Sequence, residues 1–343
     1  MLDGEYVLPL RWSDDSELAD LTDYLRRLTA EIPVTVVDGS PPELFARHAA
    51  AWAGLVRHLR PEPWPGPNGK VAGVVTGVRA ARSERIVLAD DDVRYDRAAL
   101  ARVLAQLDDA DVVRPQNVFR PTPWHARWDT GRTLLNRAFA ADYPGTYALR
   151  RSPFLAMGGY RGDVLFENLE MVRTLRAHGG REQRANDVFV PRRPPTAAHF
   201  WSQRPRQAYD DLAQPWRLVA ALALWPVVLE GVLRRRPLRL AALAAGVVLT
   251  AEIGRRRDDG RTAFGATSPL WAPVWLLERG LFSWLALDAR FRRGGVAYGG
   301  SRLRTAASMP WSLRAHPRPP LTGHSGGPST DACPAAPPGH RLP

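Results

Sequence analysis

The chain has 343 residues, of which 45% are apolar and 24% are charged, enough for one large hydrophobic core or two smaller ones. Its net charge of +12 at pH 7 fits anionic partners such as phosphate-bearing substrates or acidic lipids. Nucleic acid is the weakest candidate, because zinc-finger spacing, an aromatic RNA-binding motif and a basic zipper are all missing. The single cysteine, Cys333, excludes an intrachain disulfide.

The first 90 residues predict strands that alternate with helices. The segments "EYVLPLR", "IPVTVVDGS" and "RIVLA" are typical of strands, and a short strand is expected near 55–59. Leucines recur at helical spacing in "SDDSELADLTDYLRRLTAE", and helices are also expected over 42–53 and in "KVAGVVTGVRAAR". This alternation favours a parallel, doubly wound α/β sheet.

Polar side chains stand where these strands end. Asp38 closes one strand, and the triplet "DDD" at 90–92 closes another. Lys70 lies at a loop-to-helix junction, where a phosphate also meets helix N–H groups. Ligands of such sheets bind beyond the carboxyl ends of the strands, so these groups are expected in one crevice. The alternative for each is ordinary turn or surface chemistry.

Three adjacent carboxylates repel one another, which makes a counter-cation attractive. Mg²⁺ and Mn²⁺ prefer oxygen ligands, and Mg²⁺ commonly uses one or two carboxylates together with substrate phosphates. Asp90 and Asp92, at the outer positions of a strand-end Asp-X-Asp, are therefore predicted to hold Mg²⁺ or Mn²⁺ against a diphosphate.

Residues 110–212 predict a mixture of strands and helices. The segment "DVLFENLEMVRTLRAHGG" is expected to be a helix that ends at Gly179. Near its start, Glu167 and Glu170 are three residues apart and are predicted to share one side of it. A solvated helix face is the alternative for these two glutamates.

From Pro215 onward the chain becomes apolar. Three runs, interrupted by Glu230, Glu252 and Glu278, lie within residues 213–293. None is a clean span of about 20 apolar residues, so we expect a membrane-associated helical hairpin and an interfacial helix, with core helices as the alternative. The N-terminus lacks a secretory signal pattern, which predicts the cytoplasmic face of the cell membrane. Residues 294–343 are predicted to be a basic, disordered tail.

Five segments in this order resemble the family 2 inverting glycosyltransferases. They are "VTVVDGS", "NGKVAGVVTGVRAAR", "RIVLADDDVRYDRAAL", "GGY…FENLEM" and "SQRPRQAY". The resemblance covers residues 5–212 and is greatest to the membrane-bound, ceramide-glucosyltransferase-like branch. It implies an α/β fold of GT-A type, with a doubly wound mixed sheet, a catalytic domain at 1–212 and a C-terminal apolar helical region.

The resemblance also implies roles for single residues. Asp38 matches the residue that contacts the nucleotide base, and Lys70 matches a lysine near the nucleotide. Asp90 and Asp92 match the outer positions of Asp-X-Asp, which implies that Asp92 is the more direct metal ligand and that Asp91 faces solvent. The turn before the acceptor-side helix corresponds to Gly158, Gly159 and Tyr160. The nucleotide-binding Gln/Arg-X-X-Arg-Trp region corresponds to Gln203, Arg204, Arg206 and Gln207, although no Trp follows Arg206.

The segment "FENLE" departs from the family at the catalytic base. The family has Glu-Asp there, whereas this chain has Asn168, and a neutral amide cannot accept a proton. Glu167 or Glu170 is predicted to replace it. The implied activity is transfer of a sugar from a nucleotide-diphosphate donor to a hydroxyl of a lipid or an envelope glycan.

Two other functions remain open from the sequence. A nucleotidylyltransferase also uses metal-binding carboxylates, but it usually has a Gly-rich loop after its first strand, and "PLRWSDDS" has none. A membrane-attached scaffold with an inactive transferase fold would explain Asn168.

Overall fold

The computed structural model describes residues 1–139, 142–316 and 318–323. The strands are β1 (Glu5–Leu10), β2 (Val34–Asp38), β3 (Arg57–Leu59), β4 (Arg85–Ala89), β5 (Val112–Phe119), β6 (Thr146–Arg150), β7 (Glu182–Arg192), β8 (Val296–Tyr298) and β9 (Ser301–Leu303). The helices are α1 (Leu18–Thr29), α2 (Pro42–Ala51), α3 (Gly69–Ala80), α4 (Arg97–Ala105), α5 (Trp124–Phe139), α6 (Arg151–Ala156), α7 (Glu167–Ala177), α8 (Ala197–Tyr209), α9 (Pro215–Leu233), α10 (Pro237–Arg256), α11 (Gly260–Ala263), α12 (Ala272–Phe291) and α13 (Pro310–Ala315).

Seven strands form one sheet in the order β3-β2-β1-β4-β6-β5-β7. Strand β6 runs antiparallel to both of its neighbours, while the other four pairings are parallel. Helices cover both faces of the sheet. Side chains alternate along each strand, so both faces carry apolar side chains for a helix to bury. Tyr6 and Leu8 enter the core beneath α1 and α4, whereas Val7 enters the core beneath α3. The predicted doubly wound, mixed α/β sheet is confirmed.

Two helices of the C-terminal region are long and apolar enough to cross a membrane. They are α9 and α10, and little of either is buried within the protein. Leu233 and Leu238, at the turn that joins them, are 81% and 84% exposed. This arrangement agrees with the predicted helical hairpin.

The C-terminal end of α10, away from the turn of the hairpin, packs on the sheet domain. A side chain at Gly254 in α10 would come within 1.9 Å of the Leu134 carbonyl oxygen in α5, so glycine is required for this close approach. The third apolar run forms α12, which packs against α5, α8 and α9 and buries Glu278 and Arg279. In this part of α12 the alternative of a core helix describes the structure better than an interfacial helix does.

Part of the predicted disordered tail is ordered. Strands β8 and β9 form a hairpin, and the Thr305 carbonyl oxygen accepts a hydrogen bond of 3.0 Å from the Leu165 amide. Leu303 is buried with Leu165, Leu169 and Ala286. The prediction of disorder is therefore wrong for residues 296–315, where backbone pairing and buried apolar side chains outweigh the Pro/Gly-rich composition. Residues 324–343, including Cys333, lie outside the described residues.

Candidate active site

A cavity of about 400 Å³ opens at the carboxyl ends of the parallel strands. The register between β1 and β2 pairs Leu10 with Asp38, so the loops after these strands leave the same edge of the sheet. The loop after β4 joins them there. The lining of the cavity includes Arg11, Lys70, Asp90, Asp91, Asp92, Arg192, His199 and Tyr298. The predicted convergence of Lys70 with the carboxylate triplet is therefore present.

Lys70 connects two carboxylates. Its Nζ lies 2.6 Å from Oδ1 of Asp90 and 2.9 Å from Oε1 of Glu167. Asn68 caps helix α3 by accepting a hydrogen bond from the Lys70 amide, which fixes the start of the helix and the position of the lysine. Burial disfavours the ammonium, yet the two carboxylates raise the pKa of Lys70 well above its usual value. Lys70 is therefore a permanent cation at the centre of the site.

Arg192, at the end of β7, faces the other side of the triplet. Its Nε donates a hydrogen bond of 2.7 Å to Oδ2 of Asp92, and its Nη2 lies 3.8 Å from Oδ2 of Asp90. Burial, with the charges of Asp90 and Asp91, raises the pKa of Asp92 to about 6 against the opposing effect of Arg192. Oδ1 of Asp92 is shielded from solvent and has no partner among the described residues.

These carboxylates fit a cation that is shared with a ligand. In the described part of the chain, no three His, Cys, Asp or Glu side chains converge on one metal position. Mg²⁺ instead typically combines one or two carboxylates with phosphate oxygens. Oδ1 of Asp92 is free for such a role, and Asp90 lies beside it. Asp91, predicted to face solvent, accepts a hydrogen bond from the indole of Trp12.

Asp38 lies behind the cavity wall. Its carboxylate is fully buried and accepts hydrogen bonds from Nδ1 of His48 at 2.6 Å and Nε2 of His58 at 3.1 Å. Burial favours the neutral acid, but the hydrogen bonds from His58, Ser40 and His48 outweigh it and lower the pKa of Asp38. Its neighbours Val37 and Gly39 line the cavity, whereas Asp38 itself does not.

A second cavity of about 200 Å³ adjoins the first and shares Lys70, Asp90 and Arg192 with it. It is also lined by Glu167, Asn168, Gln203, Arg206, Gln207 and Asp210. The backbone approaches closely here, because a side chain at Gly145 would meet Oδ2 of Asp90 at 2.5 Å. We refer to this smaller space as the acceptor-side cavity.

Two predicted site residues point elsewhere. Glu170 is fully buried, and its Oε2 accepts a hydrogen bond of 2.6 Å from the Ser308 amide. Glu167 is the first residue of α7, so its side chain extends towards Lys70, whereas Glu170 faces the segment around Ser308. Arg204 is buried in a two-hydrogen-bond pair with Asp129, at 2.8 and 3.0 Å. The structure therefore gives Glu170 and Arg204 structural contacts outside both cavities.

The cavity residues that were not predicted include Arg192, Tyr298 and Asp210. Arg192 lacks a motif, and it reaches the triplet only because β7 ends beside the β4 loop. Tyr298 belongs to the segment that was predicted to be disordered, and its hydroxyl donates a hydrogen bond of 3.0 Å to Asn68. For Asp210 a signal was available, since it continues the helical spacing of Gln203, Arg206 and Gln207.

Residues 17–161 match the family model described as Glycosyl transferase family 2. The match contains Asp38, Lys70 and the carboxylate triplet. It ends before α7, so the acceptor-side residues from Glu167 onward lie outside it. No curated protein matches the sequence.

Several solved structures are distantly similar. A mannosyltransferase from Pyrobaculum calidifontis, in complex with GDP-Man and Mn²⁺, is 17% identical with a TM-score of 0.48, over 82% of this chain and 86% of its own. Mannosyl-3-phosphoglycerate synthase from Rubrobacter xylanophilus is 13% identical with a TM-score of 0.39, over 60% and 71% respectively. GalNAc-T7, with UDP, GalNAc and Mn²⁺, is 16% identical with a TM-score of 0.41, over 57% and 44%.

Because these TM-scores lie below 0.5, the assignment depends on the domain match and not on the solved structures. The match includes the part of the strand-end cavity where the carboxylates and Lys70 converge. Residues 17–161 therefore form a glycosyltransferase family 2 domain, and the protein is a glycosyltransferase.

Proposed function

We propose that the protein is a metal-dependent, inverting glycosyltransferase that moves a sugar from a nucleotide-diphosphate donor to a hydroxyl of a lipid or an envelope glycan. The observation that carries this proposal is the meeting of Lys70, Arg192 and the Asp90–Asp92 triplet in one strand-end cavity. Two fixed cations and a carboxylate pair in one place suit a diphosphate with its divalent cation.

Asp90 and Asp92 are the residues proposed to hold Mg²⁺ or Mn²⁺. The unpartnered Oδ1 of Asp92 supports this role, because a buried acceptor without a partner is costly unless a ligand satisfies it. When bound, the cation neutralises the charge that develops on the departing diphosphate.

Lys70, Arg192 and Arg206 are proposed to contact the diphosphate, with Gln203 beside them. Lys70 and Arg192 line both cavities, so they face the boundary between donor and acceptor. Positive groups placed there before the reaction stabilise the leaving group without reorganisation. Asp38 is proposed to act from behind the wall by fixing the loop at Gly39, next to the nucleotide base.

The acceptor hydroxyl is proposed to enter the acceptor-side cavity and attack the anomeric carbon directly. Inversion in a single displacement requires a carboxylate there to remove the proton of that hydroxyl. Of the two predicted bases, Glu167 lines this cavity and Glu170 does not.

Attachment to the cytoplasmic face of the membrane is proposed from the exposed apolar surface of α9 and α10. Leu233, Leu238 and Trp216 are more than four-fifths exposed, which is unfavourable in water for a hairpin of this size. A membrane location would also bring a lipid-linked acceptor to the enzyme.

The test is release of nucleoside diphosphate from nucleotide sugars. Purified full-length protein with Mn²⁺ is incubated with UDP-glucose, UDP-GlcNAc and GDP-mannose, with EDTA as the metal-free control. Release that depends on the metal supports the proposal. Metal-dependent binding of these donors without any turnover would favour the inactive scaffold.

A further inference from the structure

One face of helix α8 and of the short 3₁₀ turn after it (Asp210–Ala213) lines the acceptor-side cavity. Spacings of three and four residues place on this face Gln203, Arg206, Gln207 and Asp210. The next residue, Asp211, faces the opposite direction, where its oxygens lie 3.4 Å from Nε of Arg217 and 3.5 Å from Nη1 of Arg279. Two consecutive aspartates therefore have different surroundings: one faces the cavity and the other is ion-paired in the core.

Asp210 has an unused hydrogen-bond acceptor. Its Oδ1 is shielded from solvent and has no partner among the described residues. A shielded carboxyl oxygen without a donor loses its interaction with water and gains nothing in return. The cavity in front of Asp210 offers a way to satisfy it, because a ligand hydroxyl there would donate to this oxygen.

Glu167 is differently placed, although it lines the same cavity. Its Oε1 is held at 2.9 Å by Lys70, which also holds Asp90 at 2.6 Å. A carboxylate that is stabilised by a lysine is a weaker base than one without such a partner. Asn168, which lines the same cavity, donates through Nδ2 to the Pro144 carbonyl oxygen at 3.2 Å and has no proton-accepting carboxylate.

We propose that Asp210 is the general base of the transfer reaction and that Glu167 is a positioning residue for Lys70. This assignment rests on the proposed function and deepens it. The carboxylate of Asp210 takes the proton of the acceptor hydroxyl. That oxygen forms the new bond to the anomeric carbon, while the bond from this carbon to the diphosphate breaks and its electron pair leaves with the nucleoside diphosphate.

Burial and the surrounding charges make the carboxylate of Asp210 a stronger base than an ordinary aspartate. Burial, followed by the negative charge of Glu167, raises the pKa of Asp210 well above its usual value, and Asp211 adds to this effect. Arg279 and Arg206 face the same carboxyl and oppose the rise. A general base is most effective when its pKa lies close to the working pH, above the range of an ordinary carboxylate.

The experiment measures metal-dependent release of nucleoside diphosphate by the full-length protein, with water as the acceptor, together with binding of UDP or GDP in the presence of Mn²⁺. We expect Asp210→Asn to lower the turnover rate by about 10²- to 10⁴-fold while nucleotide binding is unchanged. The double variant N168D/D210N restores a carboxylate in the same cavity, and we expect its turnover to be at least about tenfold faster than that of D210N.

Asp211→Asn is the matched control, because it removes the same charge one residue away and outside the cavity. It is expected to lower thermal stability but to leave the turnover of the folded enzyme unchanged. Wild-type turnover in D210N, or equal losses in D210N and D211N, would overturn the assignment of Asp210. Loss of turnover in E167Q together with full turnover in D210N would make Glu167 the base. If the wild-type protein releases nucleoside diphosphate from none of the donors, the proposed function fails, and the assignment fails with it.

Discussion

The ammonium of Lys70 lies 2.6 Å from Oδ1 of Asp90, so the only lysine of the chain neutralises one of the proposed metal ligands before any metal arrives. A divalent cation at this carboxylate must therefore compete with a resident positive charge. A diphosphate relieves the competition, because its own charges attract both the cation and the lysine. Binding of metal and nucleotide is expected to be mutually favourable for this reason.

The first prediction tests this competition with Lys70→Met. The variant should bind Mn²⁺ alone more tightly than the wild type does, because the competing charge is gone. It should bind UDP or GDP with Mn²⁺ about 10- to 100-fold more weakly, which corresponds to loss of one charge-assisted hydrogen bond. Isothermal titration of metal alone, and of nucleotide with metal, separates the two effects. Unchanged nucleotide affinity would contradict a contact between Lys70 and the diphosphate.

The second prediction concerns the carboxylate triplet. Asp92→Asn should abolish metal-dependent binding of nucleoside diphosphate and leave the fold intact. The substitution removes the negative charge of the carboxylate beside Asp90 whose Oδ1 has no hydrogen-bond partner among the described residues. Asp91→Asn is the matched control: Asp91 is held by Trp12, and its variant should keep most of the affinity. Thermal shift with UDP and Mn²⁺ reports both. If the two variants bind UDP with Mn²⁺ equally well, the triplet forms an ordinary turn and does not hold a metal.

The third prediction compares two arginines of helix α8. Arg204 is buried in its pair with Asp129, and removal of one member of a buried pair typically costs about 3–5 kcal/mol. Arg204→Met should therefore lower the free energy of unfolding by about that amount, whereas Arg206→Met should reduce turnover with little loss of stability. Denaturant melts and donor hydrolysis on the same preparations distinguish the two roles. A stable R204M enzyme without nucleotide affinity would restore the predicted nucleotide contact.

The fourth prediction concerns Asp38 and pH. Hydrogen bonds keep the pKa of Asp38 below its ordinary value of 3.8, so the folded state stays ionised where the unfolded chain already takes up a proton. Its contribution to stability is full above about pH 4 and falls as the pH drops further. Asp38→Asn should lower the free energy of unfolding at pH 7 by about 1–3 kcal/mol. The difference from the wild type should shrink below pH 4 in denaturant melts, and a constant difference would contradict this account.

The fifth prediction concerns the membrane. A chain cut near Leu212 is a poor test of attachment, because the cut would also remove α12 and leave Arg204 and Asp211 without their partners on that helix. A sharper test replaces four exposed residues of the hairpin, Leu229, Val232, Leu233 and Leu238, with serine. The variant should move from the membrane fraction to the soluble fraction, because each buried side chain contributes about 1.5–3 kcal/mol to insertion. The control is F139S/W311S, which changes apolar residues that are equally exposed elsewhere.

The convergence of Lys70 with the carboxylate triplet was predictable from the sequence because parallel strands end at one edge of a sheet. That rule placed Lys70 and the triplet together without knowledge of any other contact. Asp38 shows the limit of this rule, because a strand-end residue can point either into the crevice or behind it. Contacts with His48 and His58 hold the side chain of Asp38 behind the cavity wall.

The acceptor side was less predictable, because it depends on where one helix starts and on segments far apart in the chain. Helical spacing correctly placed Glu167 and Glu170 within one turn, but only the start of α7 at Glu167 decides which side chain reaches Lys70. Arg192 and Tyr298 come from β7 and from the hairpin after α12. Their approach to the triplet follows from tertiary packing, which local patterns do not encode.

The buried contact of Arg204 with Asp129 and with Glu278 joins α8, α5 and α12 at a single point. Because α12 also packs against α9, the helix that carries the cavity face is connected through α12 to the hairpin that is proposed to meet the bilayer. If the hairpin inserts in a membrane as proposed, this connection would fix the distance between the bilayer and the cavity. The acceptor hydroxyls that the enzyme can use would then be those that reach the cavity across that distance.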